Sequence, residues 1–250
     1  MSTVRGKPAL MLPGGGARGA YQVGVIKALM DYLPGAESPF PIIAGTSAGA
    51  INAAVMASHA DNFREGAASL ELFWATLQSG QVFKAGWRHN LTTGLHWLAA
   101  MTLGGLGIAN PRSLLDTAPL QELLEREVYT AGIAECLERG MLEALLVTAS
   151  GYSTSRAVTF FQTARPMPGW DVPRRTGTPT RIAAEHLMAS AALPLLFPAI
   201  RIGHEYFGDG GMRHVAPLSP PIRLGADRLL IIGTREETPD PEPNRRCLLS

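Results

Sequence analysis

Short apolar runs alternate along the chain with longer segments in which apolar residues recur every three or four positions. The runs are short enough for buried strands and lie at residues 8–12, 42–44, 144–149, 157–162 and 229–232. The longer segments have helical spacing and lie at residues 18–33, 48–59, 62–78, 111–139 and 181–192. Because strands and helices alternate, we predict an α/β fold with a mostly parallel central sheet.

Local patterns make more detailed predictions within this framework. The first helix has an apolar face at helical spacing, made of Tyr21, Val25, Ala28, Leu29 and Tyr32. The runs at 144–149 and 157–162 are separated by a short turn, which predicts a β-hairpin. Residues 165–180 hold four prolines and two glycines, which predicts an exposed loop.

The composition fits a globular protein without a strong overall charge. Of its 250 residues, 17% are charged and 46% are hydrophobic, and the formal net charge is +1. A net charge this small gives no electrostatic reason to expect a nucleic-acid partner. Cys136 and Cys247 have no metal-ligand spacing, and the N-terminal apolar run is too short for a signal peptide. We therefore expect one large domain, or at most two, in a reducing, cytoplasmic environment.

Two segments do not fit the alternating pattern. Residues 91–109 are apolar and uncharged but include His96 and four glycines, which argues against a membrane-spanning helix. They fit a buried or surface-lying helix, or an apolar lid that contacts lipid at the inner face of a membrane. Residues 238–250 have no core pattern, so we expect a disordered polar tail after a domain over residues 1–237.

Ser47 lies where a short apolar run ends in a Gly-x-Ser-x-Gly turn that opens onto a helix of small residues. This order of strand, sharp turn and helix is that of a nucleophile elbow, which exposes a serine hydroxyl. Gly45 and Gly49 have no Cβ, so the strand and the helix can close tightly around the turn. The helix also directs its first amides, from Ala48 on, towards any anion that forms there. Ser47 is therefore the candidate nucleophile.

The first strand ends in a second glycine-rich turn, Gly-Gly-Gly-Ala-Arg-Gly at residues 14–19. Its spacing formally matches a dinucleotide-binding turn, but the acidic residue that would hold the ribose is missing after the next strand. An oxyanion hole is the competing interpretation, because consecutive glycines leave backbone N–H groups free to face a developing alkoxide. Arg18 would add a fixed positive charge nearby. We favour the oxyanion hole.

A third glycine-rich turn contains Asp209, which Gly210 and Gly211 follow. An aspartate in such a turn often serves only to form it. A serine nucleophile needs a base, however, and the chain offers Asp209 or a histidine. Of the six histidines, His204 and His214 flank Asp209 and are the credible members of a triad. The spacing leaves a Ser–Asp dyad and a triad both open.

These three turns, in this order, resemble the motifs of the patatin-like phospholipases. Residues 188–194, Met-Ala-Ser-Ala-Ala-Leu-Pro, also resemble the family's pattern between the nucleophile and the aspartate. The resemblance extends from Pro8 to Thr234. It implies a three-layer α/β/α fold, a Ser–Asp dyad without histidine, and hydrolysis of lipid acyl esters, often phospholipids. No metal or cofactor is implied.

The resemblance assigns a role to each matching position. Ser47 is the nucleophile of an acyl-enzyme mechanism, and Asp209 is the base. The oxyanion hole is assigned to Gly14, Gly15, Gly16 and Arg18. The remaining motif positions are Gly19, Gly45, Gly49, Gly210 and Gly211. The implied partner is a lipid or phospholipid substrate, with peripheral contact to a membrane.

The chain departs from this resemblance at its C-terminus. Bacterial members of the family often continue past the last strand with further helices, whereas this sequence ends in a polar tail. A minimal domain and a truncated one are both compatible with the motifs. Two other activities stay open: a transacylase that uses the same dyad, and a weakly active lipid-binding or interaction protein.

Overall fold

The central feature of the molecule is one twisted β-sheet. The computed structural model describes residues 6–33, 35–82, 115–213 and 216–234. Within these residues the sheet has nine strands: β1 (Pro8–Leu12), β2 (Ile42–Thr46), β3 (Ala144–Gly151), β4 (Ala157–Thr163), β5 (Trp170–Val172), β6 (Arg175–Pro179), β7 (Ile200–Ile202), β8 (Glu205–Gly208) and β9 (Arg228–Ile231). The order along the sheet is β5-β6-β4-β3-β2-β1-β9. The central strands β3, β2 and β1 run parallel to one another and to β9, which lies at the edge of the sheet.

The helices connect these strands and cover the sheet. Those in the described ranges are α1 (Gly19–Leu29), α2 (Ala48–Ser58), α3 (Phe63–Thr76), α4 (Ser79–Val82), α5 (Ala118–Glu127), α6 (Thr130–Glu138), α7 (Ala184–Ala191) and α8 (Ser219–Arg223). Single 3-10 turns span Gly16–Arg18 and Gly210–Met212. Asn62 caps the N-terminus of α3, because its side chain accepts a hydrogen bond from the Glu65 N–H.

The central strands bury both of their faces. Successive side chains of a strand point to opposite sides, and here Leu10 and Ile43 join a large core with α1, α2, α3, α5, α6 and α7. Met11 and Ala44 join a smaller core on the other face, together with Leu224 just beyond α8. The predicted three-layer α/β/α fold with a mostly parallel central sheet is therefore confirmed, with one helical layer much larger than the other.

The pairing along β3 brings two distant turns together. One edge of β3 pairs with β4, and the other edge pairs with β2 as far as Thr148 opposite Thr46. Beyond the end of β2, the same edge of β3 pairs with the antiparallel strand β8, with Gly208 opposite Ser150. The residue after β2 and the residue after β8 therefore meet at one point of the sheet. These residues are Ser47 and Asp209.

The predicted hairpin is confirmed, since β3 and β4 pair antiparallel. The predicted apolar face of the first helix is wrong in part: Val25 and Leu29 are half-buried and pack against the large core, but its tyrosines are exposed. Tyr21 is 62% exposed and Tyr32 is 83% exposed, whereas α1 buries Gly19, Gln22, Val23 and Ile26. The buried stripe of α1 includes a polar residue, Gln22. The spacing of apolar residues therefore does not predict this stripe.

Residues 165–180 are largely exposed, as predicted, but the prediction of a loop is wrong, because they contain β5 and β6. β6 pairs with β4, and Trp170 of β5 stacks on Phe161 with ring centroids 4.9 Å apart. Gly177 leaves the space that the Trp170 ring occupies, since a Cβ there would lie 2.2 Å from the ring. The prolines fall before, between and at the end of the two strands, so none interrupts a strand interior.

The predicted helical segment at 111–139 forms two helices where it is described, α5 and α6. The segment 91–109 and the tail 238–250 lie outside the described residues, as do Cys247 and the histidines at 89, 96 and 214. Among the helices that are described, none is long and apolar enough to cross a bilayer.

Two glycine substitutions test the close packing of β2 against α2. A Cβ on Gly45 would lie 2.3 Å from the Gly49 carbonyl oxygen, whereas a Cβ on Gly24 in α1 would meet nothing within 4 Å. Gly45→Ala should lower the free energy of unfolding by about 1–3 kcal/mol or more through overpacking. Gly24→Ala should raise it by about 0.5–1 kcal/mol through helix propensity. Urea denaturation measures both, and equal effects would contradict the packing described.

Candidate active site

Ser47 occupies a strained position at the junction of β2 and α2. Its backbone has φ 55° and ψ −131°, a conformation that costs a non-glycine residue about 1–3 kcal/mol. The surrounding glycines make this turn possible, because a Cβ on Gly49 would lie 2.0 Å from the Leu12 carbonyl oxygen. The Ser47 side chain is thereby held at the carboxyl end of the sheet. This is the geometry of a nucleophile elbow.

A second serine ties this elbow to the neighbouring strand. The Ser47 N–H donates a hydrogen bond of 2.8 Å to the Ser190 Oγ. The Ser190 hydroxyl in turn donates a hydrogen bond of 2.6 Å to the Thr148 carbonyl of β3. Ser190 is fully buried, so the end of α7 fixes the backbone of the elbow through one hydroxyl group.

Asp209 is held in place by its backbone and by one carboxylate oxygen. Its N–H donates a hydrogen bond of 2.7 Å to the Ala192 carbonyl, and its Oδ1 accepts a hydrogen bond of 2.8 Å from the Gly211 N–H. Gly210 must lack a side chain, because a Cβ there would lie 2.0 Å from the Thr148 carbonyl oxygen. The Asp209 Oδ2 is buried and has no hydrogen-bond partner among the described residues.

Burial raises the pKa of the Asp209 carboxyl above its ordinary value of 3.8. The Ser47 hydroxyl and the Gly211 N–H act in the opposite direction and lower this pKa, because both stabilise the charged form. Ser47 thus lies close enough to stabilise the Asp209 carboxylate, although no hydrogen bond of standard geometry joins the two side chains. The carboxyl is a stronger base than a free aspartate, and its unpartnered oxygen is available to a proton.

The glycine-rich turn after β1 borders Ser47 directly. A Cβ on Gly14 would lie 2.9 Å from the Ser47 Cβ. The Thr234 hydroxyl donates a hydrogen bond of 2.8 Å to the Gly14 carbonyl, and Gly16 has a left-handed φ of 56°. No described group accepts a hydrogen bond from the N–H groups of Gly14, Gly15 and Gly16.

Arg18 lies at the edge of this turn rather than within it. Its side chain is exposed, and its Nε donates a long hydrogen bond of 3.5 Å to the Gly15 carbonyl. No hydrogen bond or ion pair joins it to Ser47 or Asp209 in the described ranges, so its predicted part in the oxyanion hole stays a prediction.

Three buried or half-buried side chains hold the glycine-rich turn against the elbow helix. The Gln22 amide donates to the carbonyls of Pro13, at 2.8 Å, and Ile232, at 3.1 Å. The Asn52 amide donates to the Gln22 Oε1 and to the Gly19 carbonyl. The Trp74 N–H completes the network with a hydrogen bond of 2.8 Å to the Asn52 Oδ1. Each amide in this network is satisfied on both its oxygen and its nitrogen.

The described histidines do not contact the two catalytic candidates. The His59 ring lies beyond the far end of α2, with its Nδ1 near the Val55 carbonyl. His186 is buried, its Nδ1 accepts from the Ala183 N–H, and burial lowers the pKa of its imidazole. His204 is exposed in the turn between β7 and β8.

The sequence of the chain was compared with protein families and with known proteins. A family model described as Patatin-like phospholipase matches residues 10–222, which include all three glycine-rich turns. The chain belongs to the patatin-like phospholipase family. The match lies within the domain expected over residues 1–237.

Two relatives illustrate how the match extends. A cGAMP-activated phospholipase of Pseudomonas aeruginosa is 30% identical over 209 residues, 83% of this chain and 53% of that protein. The lysophospholipase nte1 of Aspergillus terreus is 58% identical over 52 residues, 21% of this chain and 3% of that protein. The alignments therefore span only about half of the first relative and a small part of the second.

Two bacterial proteins of known structure have a similar backbone fold. VipD from Legionella pneumophila is 17% identical, with a TM-score of 0.49 over 83% of this chain and 46% of that one. ExoU in its complex with SpcU, from Pseudomonas aeruginosa, is 17% identical, with a TM-score of 0.41 over 93% of this chain and 48% of that one. These scores are low, so family membership rests on the sequence match.

Several residues that shape this patatin-like site were absent from the sequence prediction. They support the turns without belonging to them and comprise Gln22, Asn52, Trp74, Ser190 and Thr234. Two carried a detectable signal: Asn52 is a lone amide in an alanine-rich helix, and Ser190 is a lone hydroxyl in an apolar one. Polar residues in buried helices need hydrogen-bond partners, so the sequence predicts a buried hydrogen bond at both positions.

Removal of the Ser190 hydroxyl tests its role in positioning the elbow. Ser190→Ala leaves the buried Ser47 N–H without an acceptor, which should cost about 1–3 kcal/mol of stability and lower kcat more than it raises KM. Ser58→Ala is the matched control, since Ser58 is also buried at a helix end but bonds Val55, far from the site. Ester hydrolysis and thermal denaturation measure both variants. A Ser190→Ala enzyme with unchanged kcat would contradict the positioning role.

The raised pKa of Asp209 predicts a pH-dependent gain in stability on its removal. The folded protein binds this proton more tightly than the unfolded chain, so ionised Asp209 destabilises the fold above its raised pKa and not below the ordinary value. Asp209→Asn should therefore raise the Tm at pH 7.5, and the gain should shrink towards pH 4. The exposed Asp31→Asn is the control. A Tm difference that does not vary with pH would refute the burial argument.

Proposed function

We propose that the protein hydrolyses carboxylic esters of lipids, with Ser47 as the nucleophile and Asp209 as the general base. The observation that carries this proposal is the meeting of the two residues at the junction of β2, β3 and β8. There the strained elbow presents Ser47 beside a buried carboxylate with a free oxygen. The family of the chain supports the same reaction class.

The reaction proceeds in two steps. In the first step the Ser47 Oγ attacks the ester carbonyl while Asp209 accepts its proton, and the alcohol leaves with a proton from Asp209. In the second step Asp209 takes a proton from water, which attacks the acyl-serine. Asp209 then returns this proton to the Ser47 Oγ as the bond between Ser47 and the acyl group breaks and the carboxylic acid is released. The raised pKa of Asp209 favours this exchange, because a free carboxylate is too weak a base at neutral pH.

The developing oxyanion would be stabilised by backbone N–H groups. Gly14 borders Ser47, and the amides of the glycine-rich turn have no acceptor among the described residues. The first amides of α2 lie on the other side of the nucleophile and carry the positive end of the helix dipole. Donors fixed in this way stabilise charge without reorganisation, which makes them effective in the transition state.

The substrate class follows from the family. Relatives are named as phospholipases or lysophospholipases, so we propose a glycerophospholipid or lysophospholipid as the substrate. A substrate of this kind would be reached by peripheral contact with a membrane.

The dyad is tested by four variants on a soluble p-nitrophenyl ester. Ser47→Ala should abolish turnover while leaving the fold intact by circular dichroism, and Asp209→Asn should cost nearly as much activity. His204→Gln and His214→Gln should each cost less than about tenfold, because the proposed mechanism uses no histidine. A large loss in His214→Gln with activity retained in Asp209→Asn would replace the dyad with a histidine-based mechanism.

Arg18 distinguishes oxyanion stabilisation from substrate binding. If its charge stabilises the transition state, Arg18→Ala should lower kcat about 10²–10³-fold with little change in KM. Arg64→Ala, at an exposed position in the first turn of α3, is the control for loss of a surface arginine. A rise in KM at constant kcat would instead assign Arg18 to the headgroup of the substrate.

A further inference from the structure

The turn that follows α7 exposes three leucines beside the candidate site. Leu193 is 39% exposed, Leu195 is 66% exposed and Leu196 is 43% exposed. Met212 adds a fourth exposed apolar side chain, at 47%, on the turn that follows Asp209. We call these four residues the apolar rim. Single exposed apolar residues are common on proteins, but a group around one site indicates a contact surface.

Leu195 is held in a conformation that its side chain disfavours. Its φ is 68°, in the left-handed region that few residues other than Gly, Asn and Asp adopt readily. The turn is closed by a hydrogen bond of 2.8 Å from the Phe197 N–H to the Leu193 carbonyl. Strained residues of this kind cluster at sites of ligand contact, and here the strained residue is a leucine that is exposed to solvent.

The apolar rim is directly continuous with Ser47 and Asp209. Ser190 at the end of α7 accepts the Ser47 N–H, and the Ala192 carbonyl accepts the Asp209 N–H. Leu193 is the next residue. Whatever contacts the apolar rim therefore lies next to the candidate site.

Two arginines accompany the apolar rim, and neither has a carboxylate partner among the described residues. Arg213 follows Met212. Within the described ranges its buried Nε has no hydrogen-bond partner, and its Nη1 donates a long hydrogen bond of 3.5 Å to the Ser155 carbonyl. Arg201 is exposed, and its Nε donates to the Gly203 carbonyl of its own hairpin. Residues 193–201 and 210–213 contain no acidic residue. The combination of leucines and unpaired arginines matches the chemistry of an anionic phospholipid surface.

We propose that the apolar rim, flanked by Arg201 and Arg213, docks the protein on an anionic phospholipid bilayer. The inference rests on the proposed function, because it identifies how that site reaches its substrate. A lipid surface fits the rim better than a protein partner does. Four side chains on two turns can insert into a bilayer, whereas a stable protein interface uses about 20–30 residues on each side.

Opposite substitutions at Leu195 test the proposal. All variants are made in the Ser47→Ala chain, so that vesicles stay intact, and binding is measured by co-sedimentation with vesicles of phosphatidylglycerol and phosphatidylcholine. Leu195→Asn suits the left-handed backbone but is polar, and it should weaken binding at least fivefold. Leu195→Met keeps the apolar character and should bind within twofold of the parent. Leu72→Asn on α3, where the leucine is 64% exposed, is the matched control and should bind like the parent.

The outcomes separate insertion from a structural role. If the turn required only its backbone shape, Asn would be tolerated and Met would not, and that result would overturn the proposal. A parent chain that does not sediment with anionic vesicles would overturn it as well. If the arginines contribute, Arg213→Gln should reduce binding to anionic vesicles at least threefold. Equal binding of the parent chain to anionic vesicles and to vesicles of phosphatidylcholine alone would exclude their role.

The active chain distinguishes failure of docking from failure of the proposed function. With Ser47 present, Leu195→Asn should lower hydrolysis of vesicle phospholipid at least fivefold more than hydrolysis of a soluble p-nitrophenyl ester. Equal losses on the two substrates would contradict docking while leaving the hydrolase intact. An active-chain parent inactive on both substrates would refute the proposed function itself.

Discussion

The strained backbone of Ser47 is the constraint on which the rest of the site depends. A residue at φ 55° and ψ −131° persists only where its surroundings leave no alternative. Gly45 allows β2 to approach α2, and Gly49 allows α2 to approach the end of β1, each within a distance that any side chain would block. Because α2 begins at Ala48, directly after Ser47, its first amides follow the nucleophile in the chain. Strain at one residue thus fixes both the nucleophile and part of its electrostatic environment.

The end of α7 makes the two catalytic candidates parts of one unit. Ser190 bonds the backbone of Ser47, and the carbonyl two residues later bonds the backbone of Asp209. The Gln22, Asn52 and Trp74 network acts similarly on the other side, where it joins the glycine-rich turn to α2. Buried networks of this kind are costly when incomplete. Each element of the site is therefore held by a neighbour from a different part of the chain.

The sequence was informative where local chemistry determines the structure. Small residues around Ser47 predicted the elbow, and the glycine-rich turns predicted which strand ends carry the site. The sequence was less informative where contacts between distant parts of the chain determine the structure. The apolar pattern did not reveal that β8 follows β2 along the edge of β3, nor that Gln22 belongs to the buried stripe of α1. The strands β5 and β6 were missed because Trp170 and Gly177 stabilise an edge whose composition is typical of a loop.

The central claim is that Asp209 activates Ser47 without a histidine. The most direct measurement is the rate at which a fluorophosphonate labels Ser47, followed by mass spectrometry from pH 4 to pH 9. The account predicts a rate that rises with ionisation of Asp209, is lost in Asp209→Asn and keeps its pH profile in His204→Gln and His214→Gln. A profile that survives in Asp209→Asn and disappears with either histidine would contradict it.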